Sequence, residues 1–518
     1  MWNVANITST SLTIELENTA CHYVDKKYTC FIDGEEIGEL KTNIHTIHNL
    51  KPNTTYKVSI KAEAGEEVTH EVTTSPESAL LNVRDFGAKG DGTSMDTAAI
   101  QTAIAAAPKG ARIVFPEGTY RTTPIFLKSH ITIELMEGAT LLGHHERDAY
   151  PILPGKVANE YDENSSVYLA SWEGDAADCY ASLLTGISVE DVRIIGAGTV
   201  DGNGQNGDWW IDCKVKRGAW RPRTLNLIDC KDIVVEGITI KNSPSWTVHP
   251  VRSRGLRFIN ITLNNPKNSP NTDGIDPESC NGVEILGVKF SLGDDCIAIK
   301  SGKISVPVER RQPSENIIIR NCLMQYGHGA VVLGSEMSGG IKNVFVERCF
   351  FEATDRGLRI KTRRGRGNTA VIDQIFVKNI QMEGVLTPFT LNSFYFCDPD
   401  GKTEYVRTKE KLPVDDRTPL IGSLEFENMQ CKDAEVCAGF IYGLPEQKVK
   451  SLTFKNISID FKEDAVADFP EMLEDQEKIA KTGFILRNIE KIQFSDVKVN
   501  GQIGEAFLVE DVDDYLEA

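Results

Sequence analysis

The run I-V-V-E-G-I-T-I at residues 233–240 recurs along the chain with its apolar alternation intact. L-R-F-I-N-I-T-L (256–263), V-E-I-L-G-V-K-F (283–290), I-I-I-R-N-C-L-M (317–324), V-F-V-E-R-C-F-F (344–351) and I-F-V-K-N-I-Q-M (375–382) follow it. L-T-F-K-N-I-S-I (452–459) and I-Q-F-S-D-V-K-V (492–499) are later copies. Aligning Val235, Phe258, Ile285, Ile319, Val346 and Val377 gives offsets of 23, 27, 34, 27 and 31 residues. A variable period in the range of roughly 20–35 residues, with β-branched alternation and Asn, Gly or Asp at the bend, predicts an all-β solenoid, a parallel β-helix. Each coil would add short strands to long parallel sheets.

Two stretches interrupt this rhythm. Residues 144–188 are rich in Tyr, Asp, Glu and Ser, and residues 387–422 contain P-F-T-L-N-S-F-Y-F-C-D-P-D-G-K. On a solenoid, insertions within coils become loops on one face, often the binding face. The acidic stretch 463–478 reads as a solvated helix. At the other end, M-D-T-A-A-I-Q-T-A-I-A-A-A (95–107) reads as a helix stopped by Pro108, capping the open end of the solenoid. The Gly-rich turn before it lacks the G-K-[ST] and G-x-G-x-x-G patterns of phosphate loops.

Residues 1–78 form a separate unit, with the solenoid running over 79–518. Strand candidates 11–16, 28–32, 56–62 and 70–74 are separated by turn-formers, the rhythm of a small β-sandwich. Leu50-Lys51-Pro52-Asn53-Thr54-Thr55-Tyr56 resembles the L-x-P-x-T-x-Y signature of fibronectin type III domains, in which the tyrosine closes a corner by bonding upstream backbone. Residues 75–78 read as the linker.

Composition narrows the function. With 56 basic and 75 acidic side chains, the formal charge is −19, which argues against nucleic acid as partner. The sequence contains no apolar run approaching the roughly 18 residues of a membrane span. The start lacks the basic and apolar regions of a signal peptide, and the twelve cysteines are scattered with no C-x-x-C pair. A reducing, cytoplasmic compartment is therefore expected.

Four polar clusters fall on successive coils: Asn271-Thr272-Asp273-Gly274, Gly293-Asp294-Asp295-Cys296, Gly327-His328-Gly329 and Arg359-Ile360-Lys361. The steps from Asp273 to Asp294, His328 and Arg359 are 21, 34 and 31 residues, close to one coil each. Positions one coil apart lie side by side, about 4.8 Å apart. Three Asp, one His, one Arg and one Lys would thus converge on one patch. A single bend residue of this kind means little, whereas the ordered set on consecutive coils points to catalysis.

Clustered carboxylates cannot all ionise, so one keeps its proton and acts as an acid while the others hold water. That is the equipment of an inverting glycosidase, with acid and base roughly 6.5–9.5 Å apart. Arg359 and Lys361 alternate in a strand and face the same side, which suits a carboxylated sugar. Six of the eleven residues from Arg356 to Arg366 are basic, as expected beside an anion, with Arg366 readable as a plain solvated turn.

N-T-D-G, G-D-D-C, G-H-G and R-I-K in this order and spacing resemble the motifs of glycoside hydrolase family 28, the polygalacturonases, over about residues 80–518. The resemblance implies a right-handed parallel β-helix and hydrolysis of α-1,4 galacturonic acid linkages with inversion, without metal or cofactor. It makes Asp294 the general acid, Asp273 and Asp295 the holders of the attacking water, His328 a support of the acid, and Arg359 and Lys361 ligands of the substrate carboxylate. His249 in W-T-V-H-P, Lys300 and Tyr395 are further candidate substrate contacts. Trp209, Trp210 and Trp220 are candidates for sugar stacking, for the core or for a lid.

The expected partner is galacturonan. The N-terminal unit and the two insertions together would wall off one end of the groove and favour exo-cleavage. N-T-D-G-I-D-P-E-S and the leading module also resemble bacterial exo-enzymes. An endo-polygalacturonase or rhamnogalacturonan hydrolase is the nearest alternative. A calcium-dependent pectate lyase and a non-catalytic carbohydrate-binding solenoid are alternatives of other classes.

Overall fold

The computed structural model describes residues 2–158 and 166–517. From Leu80 onward, parallel strands stack in three columns. One runs through Lys231–Glu236, Arg254–Ile259, Asn281–Leu286, Ser314–Arg320 and Ile341–Glu347, and the second through Thr239–Lys241, Thr262–Asn264, Lys289–Ser291, Leu323–Gln325 and Phe350–Glu352. The third runs through Leu225–Ile228, Val248–Val251, Ile297–Ile299, Val331–Leu333, Arg356–Lys361 and Thr387–Asn392. The chain is thus a parallel β-helix. The six aligned repeat residues are direct neighbours, from Val235 on Phe258 through to Val346 on Val377.

Each early repeat is two strands rather than one, because a residue in its middle turns left-handed. These are Gly237, Asn260, Gly287, Asn321 and Arg348, with φ of 77°, 49°, 65°, 55° and 52°. Gly and Asn tolerate that conformation best, which is why they recur there. In later coils the two columns fuse into long bent strands such as Val371–Glu383 and Ser423–Ala434. Their bends are marked by Asn379, Asn428 and Asn456. Those amides form a ladder, Asn428 donating to Asn379 at 3.1 Å and Asn456 to Asn428 at 2.8 Å.

One apolar core runs the length of the solenoid, from Val83 through Ile285 and Ile360 to Phe494. Helix Thr97–Ala106 covers its first coils, burying Ile100, Ala103 and Ile104. Most of the cysteines are buried, and all twelve are unpaired.

Seven strands over residues 2–73 make two antiparallel sheets, one of three strands and one of four, around Trp2, Ile14, Cys30 and Ile60. Strands Trp2–Ile7, Glu35–Thr42 and Ile44–Ile47 were not among the sequence candidates. The Tyr56 hydroxyl accepts the Lys51 N–H at 2.9 Å, the upstream corner contact expected of it. This unit sits on the first two columns. Glu15 binds Arg320 at 2.8 Å and Arg348 at 2.9 Å, and Glu236 accepts the Ser11 hydroxyl.

The 463–478 stretch is not a solvated helix. It is a series of turns and bends that folds back over the third column and buries Glu471 to 1 % exposure. Its apolar residues explain this: Leu473 joins a small cluster with Phe394, Phe440 and Tyr442.

Candidate active site

The third column carries the site. Ile275 bridges Ile297, Ile297 pairs with Val331 and Val331 with Leu358. Those inward residues fix the register, so Asp273 and Asp295 precede neighbouring strands by the same two positions. His328 lies one coil further on. Leu358 and Ile360 point into the core while Arg359 and Lys361 point outward together, as the alternation required. Gly329 leaves the space the site needs. A Cβ there would lie 2.4 Å from Val332, 3.2 Å from the Asp295 carboxylate and 3.4 Å from Arg359.

One oxygen from each of Asp273, Asp294 and Asp295 lies within 4.8 Å of the others. These nearest oxygens are closer than the gap expected between acid and base. Asp295 is buried, which opposes its charge, but the Lys361 ammonium at 2.7 Å and the Arg359 guanidinium at 3.4 Å outweigh burial. Its carboxyl is held well below the ordinary range. Asp273 is shifted the other way, by burial and by the neighbouring Asp294 and Asp276, and one of its oxygens has no protein partner. The cluster therefore separates into a firmly ionised member and one that keeps its proton to higher pH. The half-exposed His328 bonds Asp355 through Nδ1 at 2.7 Å, and that bond raises its pKa against the effect of burial, with help from Asp294 and Asp295.

These groups line a cavity of about 380 Å³ that also takes in Lys300, Tyr395, Trp246 and Glu336. Lys300 is buried, which disfavours its charge, yet Glu336 at 3.4 Å and Asp276 at 3.9 Å keep it a cation. Its ammonium lies 4.6 Å from the centre of the Trp246 ring. Tyr395 places its ring 5.5 Å from the Lys361 ammonium.

His249 and the three stacking candidates lie elsewhere. His249 does not line the cavity: it is 1 % exposed, packs edge-on against Trp246 and bonds Glu278 at 2.8 Å. Burial, only partly opposed by Glu278, lowers its pKa to about 4. The stacking candidates Trp209, Trp210 and Trp220 are also absent from the lining. Trp209 is core, between Tyr150 and Tyr180, and Trp210 donates to the Ser243 carbonyl at 3.0 Å. Trp220 stacks on Trp172 at 4.8 Å, and Trp172 on Trp246 at 5.9 Å.

The basic run is mostly neutralised within the protein. Glu471 holds Arg359 through two bonds, of 2.8 and 2.5 Å. Arg363 pairs with Asp398 and Asp400, Arg364 with Glu446, and Arg366 with Asp398. Arg366 is buried rather than solvated. Sequence reasoning missed Glu471, Asp355, Glu336 and Asp276 because their partners lie between 24 and 112 residues away, across coils. Only the D at the end of N-T-D-G-I-D hinted at one of them.

Insertions shape the cavity rim. Hairpin strands Ser171–Trp172 and Asp175–Ala176 place Glu173 in it, 3.1 Å from Lys214, and Asp175 lies 3.6 Å from Lys303. Arg223 braces the hairpin, 4.9 Å from the Trp172 and Trp246 ring centres and bonded to the Ser171 carbonyl at 2.8 Å. The 387–422 insertion supplies Tyr395, Cys397 and Asp398. No described residue of the N-terminal sandwich lines the cavity, so it is not the wall the sequence suggested.

The three carboxylates are near enough to hold a cation. Lys361, Arg359 and Lys300 already supply positive charge at the same spot, so the donor set suits protons and water better than a divalent ion.

Comparison with known proteins agrees with the motifs. Residues 166–441 match the family described as Glycosyl hydrolases family 28, and residues 80–143 match "Rhamnogalacturonase A/epimerase, pectate lyase-like". The chain is 32% identical over 384 residues to a probable polygalacturonase of Vitis vinifera, covering 72% of this chain and 73% of that protein. It is 26% identical over 491 residues to the exo-poly-alpha-D-galacturonosidase of Dickeya chrysanthemi, covering 79% and 78%. The Yersinia enterocolitica family 28 exopolygalacturonase structure shares the fold, with a TM-score of 0.72 and 20% identity over 99% of this chain and 98% of that one. The ordered motifs, the converged carboxyls and these matches together make the chain a glycoside hydrolase that belongs to glycosyl hydrolases family 28.

Proposed function

We propose that this enzyme hydrolyses α-1,4-galacturonosidic bonds of galacturonan with inversion and releases galacturonic acid from a chain end. The carrying observation is a cavity in which three carboxyls meet Lys361 and Lys300, with the braced hairpin 171–176 across one side. The names of the relatives, a probable polygalacturonase and an exo-poly-alpha-D-galacturonosidase, support the same substrate.

In this reading Asp294, the more exposed carboxyl, protonates the glycosidic oxygen as the bond breaks. Asp273 and Asp295 hold the water that attacks the opposite face of the sugar, the ionised Asp295 taking its proton and Asp273, the carboxyl shifted upward, helping to position it. The close approach of the three carboxyls puts that water against the pair rather than far across the ring. His328, tied to Asp355, stands beside the acid and supports its proton. Arg359, Lys361 and Lys300 all line the cavity and contact the substrate carboxylate, with Tyr395 against the ring. The hairpin limits the sugars that fit beyond the cleaved bond, which favours exo-cleavage.

A time course on polygalacturonic acid and on the trimer to pentamer tests this, with an ultraviolet trace, proton NMR of the product anomer and a parallel run in EDTA. Monomer from the earliest points, of inverted anomeric form, with no absorbance rise and no effect of EDTA, is expected. A ladder of oligomers would replace exo by endo. An absorbance rise stopped by EDTA would replace hydrolysis by a calcium-dependent lyase, and no turnover would leave a binding solenoid.

A further inference from the structure

Behind the hairpin, on the same face of the solenoid, lies a second cavity of about 490 Å³. Among the described residues it shares no lining residue with the catalytic cavity. Its size falls within the roughly 300–1,000 Å³ typical of small-molecule sites. Two side chains in its lining are more than nine-tenths buried yet leave a polar atom without a protein partner: Asn226 through Oδ1 and Ser301 through Oγ. Buried polar groups in folded proteins are nearly always satisfied, so these two atoms call for a hydrogen-bonding occupant, and a ligand hydroxyl does the work of a water there.

The charges in the lining indicate what kind of ligand fits. Arg252, Arg310 and Arg311 are matched by Asp229, Glu278 and Glu309. Arg252 is bound to Asp229 through two bonds of 2.8 Å, and Glu278 to His249. The catalytic cavity, by contrast, brings Lys361 and Lys300 to bear on an anion. Tyr168 contributes an aromatic ring to the second cavity, 4.9 Å from the Arg310 guanidinium and 5.9 Å from that of Arg252. An aromatic surface, unpaired hydroxyl-type partners and balanced charge are the features that hold an uncharged sugar.

We propose that this cavity is a second carbohydrate site, taking a neutral sugar unit rather than a uronic acid. The assignment stands on membership of a glycoside hydrolase family and not on the exo reading. The two cavities share a wall: Ser171 and Gly174 face one and Glu173 the other, and Trp172 of the hairpin stacks on Trp246 of the catalytic cavity. Occupancy of the second cavity therefore bears on the part of the protein that bounds the first.

The test uses the full-length enzyme, titrated calorimetrically with L-arabinose, L-rhamnose, D-xylose and D-galacturonate, with crystals soaked in the same sugars. At least one neutral sugar is expected to bind saturably and to appear in the second cavity. Ser301→Val and Asn226→Leu should each weaken that binding by about tenfold, the scale of one lost buried hydrogen bond. Both variants should hydrolyse unbranched digalacturonate within about twofold of the parent, since neither residue touches the catalytic cavity. Absence of saturable binding by every neutral sugar would overturn the proposal. So would sugar density confined to the catalytic cavity, galacturonate binding in the second cavity at least as tightly, or unchanged affinity in both folded variants. If neither variant folds, the soaked parent crystals decide the matter alone.

Discussion

At Asp295 burial and charge oppose each other, and two cations decide the outcome. Lys361 carries most of this, at 2.7 Å, and it also lines the cavity. Lys361→Ala should raise KM on short galacturonates by about 10- to 100-fold, the value of a charge-assisted bond. It should also move the acid limb of the pH–rate profile to higher pH, because Asp295 loses the partner that holds its carboxyl down. An unchanged KM and acid limb would assign both tasks to another group. Asp294→Asn should lower kcat by about 10²- to 10⁴-fold while substrate still binds, since an amide cannot give up the proton. Near-parental turnover would remove Asp294 from that role. His249 makes a different prediction, about stability. Its pKa is lowered from 6.5 to about 4, so between those values the unfolded chain binds a proton that the folded one does not. Stability must then rise with pH across that window, by about 3 kcal/mol for this residue. Denaturant titrations from pH 4 to 7 should show the slope, and His249→Gln, which keeps a donor for Glu278, should flatten it.

Among the elements, the hairpin 171–176 has the clearest functional consequence. Its two strands are short, and alone they would be unstable. They hold because Trp172 lies between Trp220 and Trp246, with Arg223 packed against the stack. Replacing residues 171–176 with two glycines keeps the loop closed, since the Ala177 N–H already reaches the Ala170 carbonyl at 3.4 Å. The shortened enzyme should begin to cleave a galacturonic acid pentamer in mid-chain. Product analysis that still finds monomer alone at early times would locate the barrier elsewhere. The 463–478 segment teaches the same lesson in reverse. Its sequence is acidic enough for solvent, but Glu471 is drawn in by Arg359, and the ion pair fixes the segment over the third column.

Over the whole molecule, the solenoid and the sandwich divide the labour. A continuous apolar core holds the coils in register, and register is what aligns Asp273, Asp295 and Lys361 from three different coils. The sandwich grips the opposite columns through Glu15 and Glu236. Glu15→Ala would leave Arg320 and Arg348 facing an apolar partner at a largely buried interface, although Arg320 keeps Glu284 at 2.9 Å. A loss of about 3 kcal/mol is expected, measurable by denaturant unfolding, with kcat unchanged. A fall in kcat in the folded variant would mean that the sandwich reaches the catalytic cavity after all.

The β-helix was legible because its period is written in side chains that recur: Val235, Phe258 and Ile285 align in sequence and pair in space. The six motif residues were legible for the same reason, since one coil of separation along the chain becomes one strand of separation across it. The left-handed bends halved each early predicted strand but did not shift the alignment. The three-dimensional arrangement alone decided how the charges are matched. Glu471, Asp355, Glu336 and Asp276 come from loops and coils with no common spacing, and they determine how the charges beside the cavity are paired. Tertiary packing likewise buried His249 and exchanged Trp220 for Trp246 at the cavity. Periodic elements carry their geometry in local sequence, whereas burial and ion pairing depend on whichever insertion folds over the face. The chain by itself therefore determined the scaffold and the convergence of the motif residues, and only the folded insertions determined the shape, charge and reach of the cavity around them.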